Sequence, residues 1–208
     1  MFQTLVRAFQ DGGFFMYPIT IALGFAIAVT VERVYYLIVR FNVDGSKFFS
    51  ELKRHLEGRD FEAAKSLCGD TPLMQILRAG VEAAPMGERA VQNAVDEATL
   101  AVLPEVEKRT PYLSMIANVS TLLGLIGTVT GLIRSFRAVA YADPTQKGAL
   151  LFKGISEAMN CTAFGLIVAI PCMVIYTILQ SKTTHIVDEI DEYSVKLINL
   201  LSSLGVRS

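Results

Sequence analysis

The sequence predicts an all-α membrane protein with three transmembrane helices and long helical extensions on one side of the bilayer. The 208 residues are 52% hydrophobic with a mean hydropathy of +0.43, well beyond an ordinary soluble domain. The apolar residues gather in three runs, 14–31, 112–133 and 158–179, each near the ~20 residues that cross a ~30 Å hydrocarbon core. The charged residues, 19% of the chain, collect between and after those runs, in stretches with helical periodicity.

Residues 1–40 hold the amino-terminal segment and the first span. The run pauses at Glu32-Arg33 and resumes through Val39, with Tyr35, Tyr36 and Arg40 placed as interface anchors. A cleaved signal peptide competes for this stretch, since Arg7 precedes it and Ala26-Ile27-Ala28 resembles a small-residue cleavage site. Asp11 just before the run, and its continuation past the alanines, favour a retained span.

Residues 41–110 change to an amphipathic helical domain. Asp44 or Ser46 caps a helix that Gly58 ends, and Asp60 caps a second through Leu67. Thr71-Pro72 starts a third, which stops at Pro85 and Gly87. Val91, Val95, Ala98, Val102 and Val106 then recur at helical spacing toward the second span. Pro104 and Pro111 interrupt that pattern, and are expected to kink a long helix or to break it in two.

The second span covers 111–134, a loop 135–154, the third span 155–180, and a helical tail 181–208. In the tail Ile186, Ile190, Tyr193, Leu197, Leu200 or Leu201, and Leu204 continue an apolar stripe, so the third span is expected to run on as one helix. Its partner should be the extension at 88–110, which the two crossings between them place on the same side. Lys and Arg favour 41–110 and the tail over the opposite side, which has Arg7, Arg134, Arg137, Lys147 and Lys153. By the positive-inside rule the amino terminus is periplasmic, and the helical domain and carboxyl terminus are cytoplasmic.

Several functions are disfavoured. A net charge of −1 without a basic cluster argues against nucleic acid. Cys68, Cys161 and Cys172 lack a Cys-x-x-Cys spacing and read as buried thiols. His55 and His185 are isolated, and no nucleophile with a base, metal cluster or phosphate loop is visible, so neither an enzyme nor a cofactor is expected.

Within the second span, polar residues stand seven apart, at Ser114, Thr121, Thr128 and Ser135, with Asn118 in the same stripe. Seven residues are nearly two helical turns, so these side chains share one face. Hydroxyls and amides in hydrocarbon need partners, and the stripe therefore points to a water-bearing or partner-facing interior. Glu157, Asn160 and Thr162 at the start of the third span join Thr121 and Thr128 as candidates for an ion pathway. Two blander readings stay open: Glu157 in the headgroup region, and each threonine bonded back to its own helix.

Beside the stripe run small residues, Ala117, Ser120, Gly124, Gly127 and Gly131, answered in the third span by Ala158, Thr162, Gly165, Ala169 and Cys172. Such ridges let helices approach closely, either as a hairpin or against copies of themselves. Pro171 removes a backbone donor midway down the third span.

The stretch from Leu122 to Ile133, with Ser135-Phe136 after it, resembles a signature of the MotA/TolQ/ExbB family of ion-driven motor subunits. Gly154 to Met159, followed by Thr162 to Pro171, resembles the family's second signature, in matching order and separation. Three spans rather than four are closer to the ExbB and TolQ branch. The chain departs from common family forms at Asn118-Val119-Ser120 and Asn160-Cys161. The resemblance implies an inner-membrane protein of bacteria, in a ring of identical subunits, typically five. That ring would surround an ExbD/TolR-like single-span partner that supplies a membrane aspartate. It also implies that Thr128 and Thr162 line the ion route, that Glu157 is a further polar position, and that protons are the transported ion, with sodium the alternative. A passive membrane scaffold is the rival reading.

Overall fold

The computed structural model describes residues 13–41 and 43–204. Arg7 and Asp11, used above, lie outside them. Every regular element among the described residues is helical. They are α1 (Met16–Val34), a π-helical turn (Tyr35–Arg40), α2 (Gly45–Glu57), α3 (Phe61–Leu67), α4 (Pro72–Ala83) with a 3₁₀ turn (Ala84–Met86), α5 (Glu88–Glu107), α6 (Thr110–Ala140) and α7 (Lys147–Ser203). Three stretches are long and apolar enough to cross a membrane, Met16–Arg40, Glu88–Ala140 and Lys147–Ser203. The chain divides into two compact units, one of residues 1–32 and 109–178, the other of 33–108 and 179–208.

The second unit is an amphipathic helical assembly whose starts follow local chemistry. Asp44 accepts a hydrogen bond from the Lys47 N–H at 3.2 Å, and Asp60 accepts one from the Ala63 N–H at 3.0 Å. Each carboxylate satisfies an amide that the first helical turn leaves without a partner. Pro72 opens α4, where its missing N–H costs nothing. The apolar faces converge at Gly80, where an added Cβ would lie 2.7 Å from Leu197 of α7 and 2.8 Å from Val95 of α5. Ile186, Ile190, Tyr193, Leu197 and Leu201 are buried there, as the stripe anticipates, and Ser202 donates to Glu88 at 3.2 Å.

Helix α2 ends at Gly58 as expected, but the glycine is not the left-handed residue of the closure. Asp60 N–H bonds to the His55 carbonyl and Arg59 N–H to the Leu56 carbonyl, both at 3.0 Å, a Schellman closure whose left-handed position is Arg59 at φ 56°. Gly58 stands just before it with ordinary helical angles. An arginine there bears a steric cost that glycine lacks. Arg59→Gly should therefore raise the free energy of unfolding by about 0.5–1 kcal/mol, read as a later chemical-denaturation midpoint of the detergent-solubilised protein.

Cys68 closes α3, 8% exposed, its Sγ 3.4 Å from the Ala64 carbonyl. Burial pushes its thiol up to about 11, so little thiolate exists near neutrality. Iodoacetamide at pH 8 should alkylate it at least about tenfold more slowly than in the unfolded chain; equal rates would show the site to be open.

The pattern leading to the second span breaks rather than kinks. Pro104 stays inside α5, which ends one turn later at Glu107. Arg109 takes a left-handed conformation with φ 65°, and α6 restarts at Thr110 with Pro111 in its first turn. Of the carbonyls that the end of α5 leaves open, Pro104 receives the Lys108 N–H at 3.0 Å. Those of Glu105 and Val106 receive the guanidinium of Arg33, which is fully buried. Within the first unit Glu32 pairs with Arg109. Helix α6 extends past the expected span and α7 starts before it, so only 141–146 lie outside helix between them.

Candidate functional site in the second and third spans

In the first unit α6 and α7 pack antiparallel through backbone contact. A Cβ on Gly165 would lie 2.6 Å from the Ser120 carbonyl oxygen and 3.3 Å from the Gly124 Cα; one on Gly124 would lie 3.1 Å from the Thr162 Cα. One on Gly131 would meet the Ala158 Cβ at 3.0 Å, and one on Gly127 would overlap the Cys161 side chain. Facing positions thus run in opposite directions along the two helices, the signature of a single register. In lipid such contact supplies the association that hydrophobic burial supplies in water. Pro171 takes no part in this seam. It is exposed and lines an apolar cleft of about 150 Å³ with Leu23, Ala26, Thr30 and Cys172, against α1.

The polar candidates divide into two groups. Thr162 donates its hydroxyl hydrogen to the Gly124 carbonyl at 2.9 Å, a bond between helices. Thr121 donates to Ala117 at 3.0 Å and Thr128 to Leu125 at 2.6 Å, both within α6. Each is satisfied in the way that lets a threonine sit in an apolar helix. Ser135, at the end of the row, is buried and donates to Gly131 at 2.7 Å.

Helical geometry decides which of them share a side. At about 100° per residue, Thr121 and Thr128 lie on one flank of the α6 contact ridge, and Gly127 lies on the other. Gly127's flank faces the first span, since its Cβ position is 3.6 Å from Phe15. On α7 the ridge is Ala158, Cys161 and Gly165, with Thr162 and Glu157 on opposite flanks of it. Because the helices are antiparallel, Thr162's flank joins that of Thr121 and Thr128. Glu157 is on the first span's side, where a Cβ on Gly13 would be 2.7 Å from its carboxylate. Asn160, two residues or about 200° from Thr162, turns away from the threonines. Three of the five candidates therefore form one hydroxyl-lined strip, flanked by exposed apolar residues such as Leu122, Leu125 and Val129.

Sequence reasoning did not assign the roles of Glu32, Arg33 and Arg109. The available signal was a pair of opposite charges interrupting an apolar run, which is costly at a span's end unless each charge finds a partner.

An ExbB homolog of Methanothermobacter thermautotrophicus is 28% identical over 207 residues, 98% of this chain and 71% of that protein. The Tol-Pal system protein TolQ of Haemophilus influenzae is 32% identical over 52% of the chain and 49% of its own length. The biopolymer transport protein ExbB of Salmonella typhimurium is 45% identical over 34% of the chain and 29% of its own length. The matched part thus spans about half or less of the latter two relatives. The sequence pattern of one family covers residues 69–192, which take in most of the helical domain, both packed spans and the start of the α7 extension. On that match, over more than half of its length, the chain belongs to the MotA/TolQ/ExbB proton channel family.

Proposed function

We propose that this chain is an ion-conducting, stator-type subunit of a bacterial inner-membrane motor. It assembles as a homo-oligomeric ring of five around an ExbD/TolR-like single-span partner with a membrane aspartate. The periplasmic amino terminus, the cytoplasmic domain at 41–110 and the cytoplasmic tail belong to the same reading. Proton motive force drives the partner, which does work at the envelope. The observation that carries it is the strip of Thr121, Thr128 and Thr162 along one side of an otherwise apolar helix pair.

No acid lies on the second span between Tyr112 and Ile133, so the chain offers no proton carrier of its own at the bilayer centre. A partner carboxyl beside the strip supplies one. Each elementary charge moving down the membrane potential releases about 2.3 kcal/mol per 100 mV. Protonation removes the carboxyl's charge and changes its preferred contacts with the ring, and that change lets the partner step or rotate.

Thr128→Val combined with Thr162→Val tests this in proteoliposomes holding the chain and its single-span partner. Proton flux should fall at least about tenfold, the scale of one lost hydrogen bond of ~1.4 kcal/mol in the conducting state, while the complex still co-purifies. Thr162→Ser, which keeps a hydroxyl for Gly124, should retain flux. Unchanged flux in the double variant would instead favour a passive scaffold.

A further inference from the structure

We propose that the strip formed by Thr121, Thr128 and Thr162 is an acceptor-only surface: it takes a cation or the protonated, neutral form of a partner's carboxyl, and rejects the carboxylate. The inference rests on the reading above and names the chemical state in which the strip holds its partner.

A threonine hydroxyl carries one hydrogen and two lone pairs. All three hydroxyls lie at hydrogen-bond distance from a main-chain carbonyl, at Ala117, Leu125 and Gly124. A carbonyl has no proton to give, so in each contact the hydroxyl is the donor and its only hydrogen is spent. What the strip turns outward is lone pairs. A protonated carboxyl finds an acceptor there, as does a hydrated or bare cation. A carboxylate is acceptor-only itself, and meets no donor.

Donors lie toward the start of α6. The side chains of Ser114 and Asn118 form no hydrogen bond among the described residues, and Asn118 is exposed. The row that is periodic in sequence is therefore polarised along its length, with free donors at the α6 start and acceptors from Thr121 onward. Titratable groups at this depth do not alter the balance. Glu157 lies against Gly13 on the opposite flank, and Cys161 is enclosed in the seam against Gly127.

The experiment uses the full chain reconstituted in phosphatidylcholine vesicles with a synthetic single-span peptide carrying Asp, Asn or Leu at its centre. Association is read by energy transfer, normalised to inserted peptide, from pH 5 to pH 9. The Asn peptide, a fixed mimic of the protonated acid, should bind about tenfold more tightly than the Leu peptide at every pH. The Asp peptide should match it at pH 5 and lose about tenfold by pH 9. Thr128→Asn, which adds amide hydrogens without touching the α6–α7 contacts, should restore binding of the Asp peptide at pH 9. Equal binding of the Asp peptide at both pH extremes, or no advantage of Asn over Leu, overturns the proposal. Because no ion flux is read, these outcomes stand apart from failure of the motor reading, which the flux assay above detects.

Discussion

Gly165→Ala should destabilise the membrane unit by about 2–3 kcal/mol, within the range for forcing an extra carbon into a closed interface. The new methyl would stand 2.6 Å from the Ser120 carbonyl oxygen, a main-chain atom that no rotamer change can move aside. The helices must separate, and separation stretches the 2.9 Å bond from Thr162 to Gly124. Lost packing in lipid has no compensating hydrophobic term. Gly24→Ala and Gly148→Ala are the controls, since an added Cβ at either meets nothing within 4 Å. They should be neutral or stabilising by up to ~1 kcal/mol through helix propensity. The measurement is thermal unfolding in one detergent, and a Gly165→Ala midpoint no lower than that of Gly24→Ala would refute the backbone-contact account.

Arg33→Met is expected to cost about 3 kcal/mol, the scale of losing hydrogen bonds from a charged donor to buried carbonyls. Arg33 is fully buried and bonds to the carbonyls of Glu105 and Val106. Those are two of the four acceptors that the end of α5 cannot satisfy internally. A cation there also meets the negative end of the helix dipole. Methionine keeps the bulk and removes both bonds and charge. Lysine keeps the charge but not the planar fork, and should recover about half. Hydrogen exchange gives the local readout: the Lys108 amide, bonded to Pro104, should exchange faster in Arg33→Met. An unchanged rate there would mean that the end of α5 is held by something else.

What was legible in the sequence was what neighbours in the chain decide. The caps at Asp44 and Asp60, and the start at Thr71-Pro72, are contacts across three or four residues. The stripe from Ile186 to Leu201 follows from helical period alone. Long-range matters were not legible. Pro104 and Pro111 permit either a kink or a break, and the carbonyls exposed by the break are met by Arg33, more than seventy residues earlier. The two ridges of small residues could be read in advance, but their pairing could not. That pairing is what sets Thr162 beside Gly124 and puts Glu157 on the other flank. The same holds for Arg59, whose left-handed geometry adjoins a glycine that seemed made for it.

The meeting of Gly124 with Gly165, and of Gly131 with Ala158, leaves the two spans no room to roll. Turning either helix about its axis by one position would drive Leu123 or Leu166 into a gap sized for hydrogen. The hairpin is thus a joint keyed against rotation, and any turning within this unit must pass through parts that are not keyed.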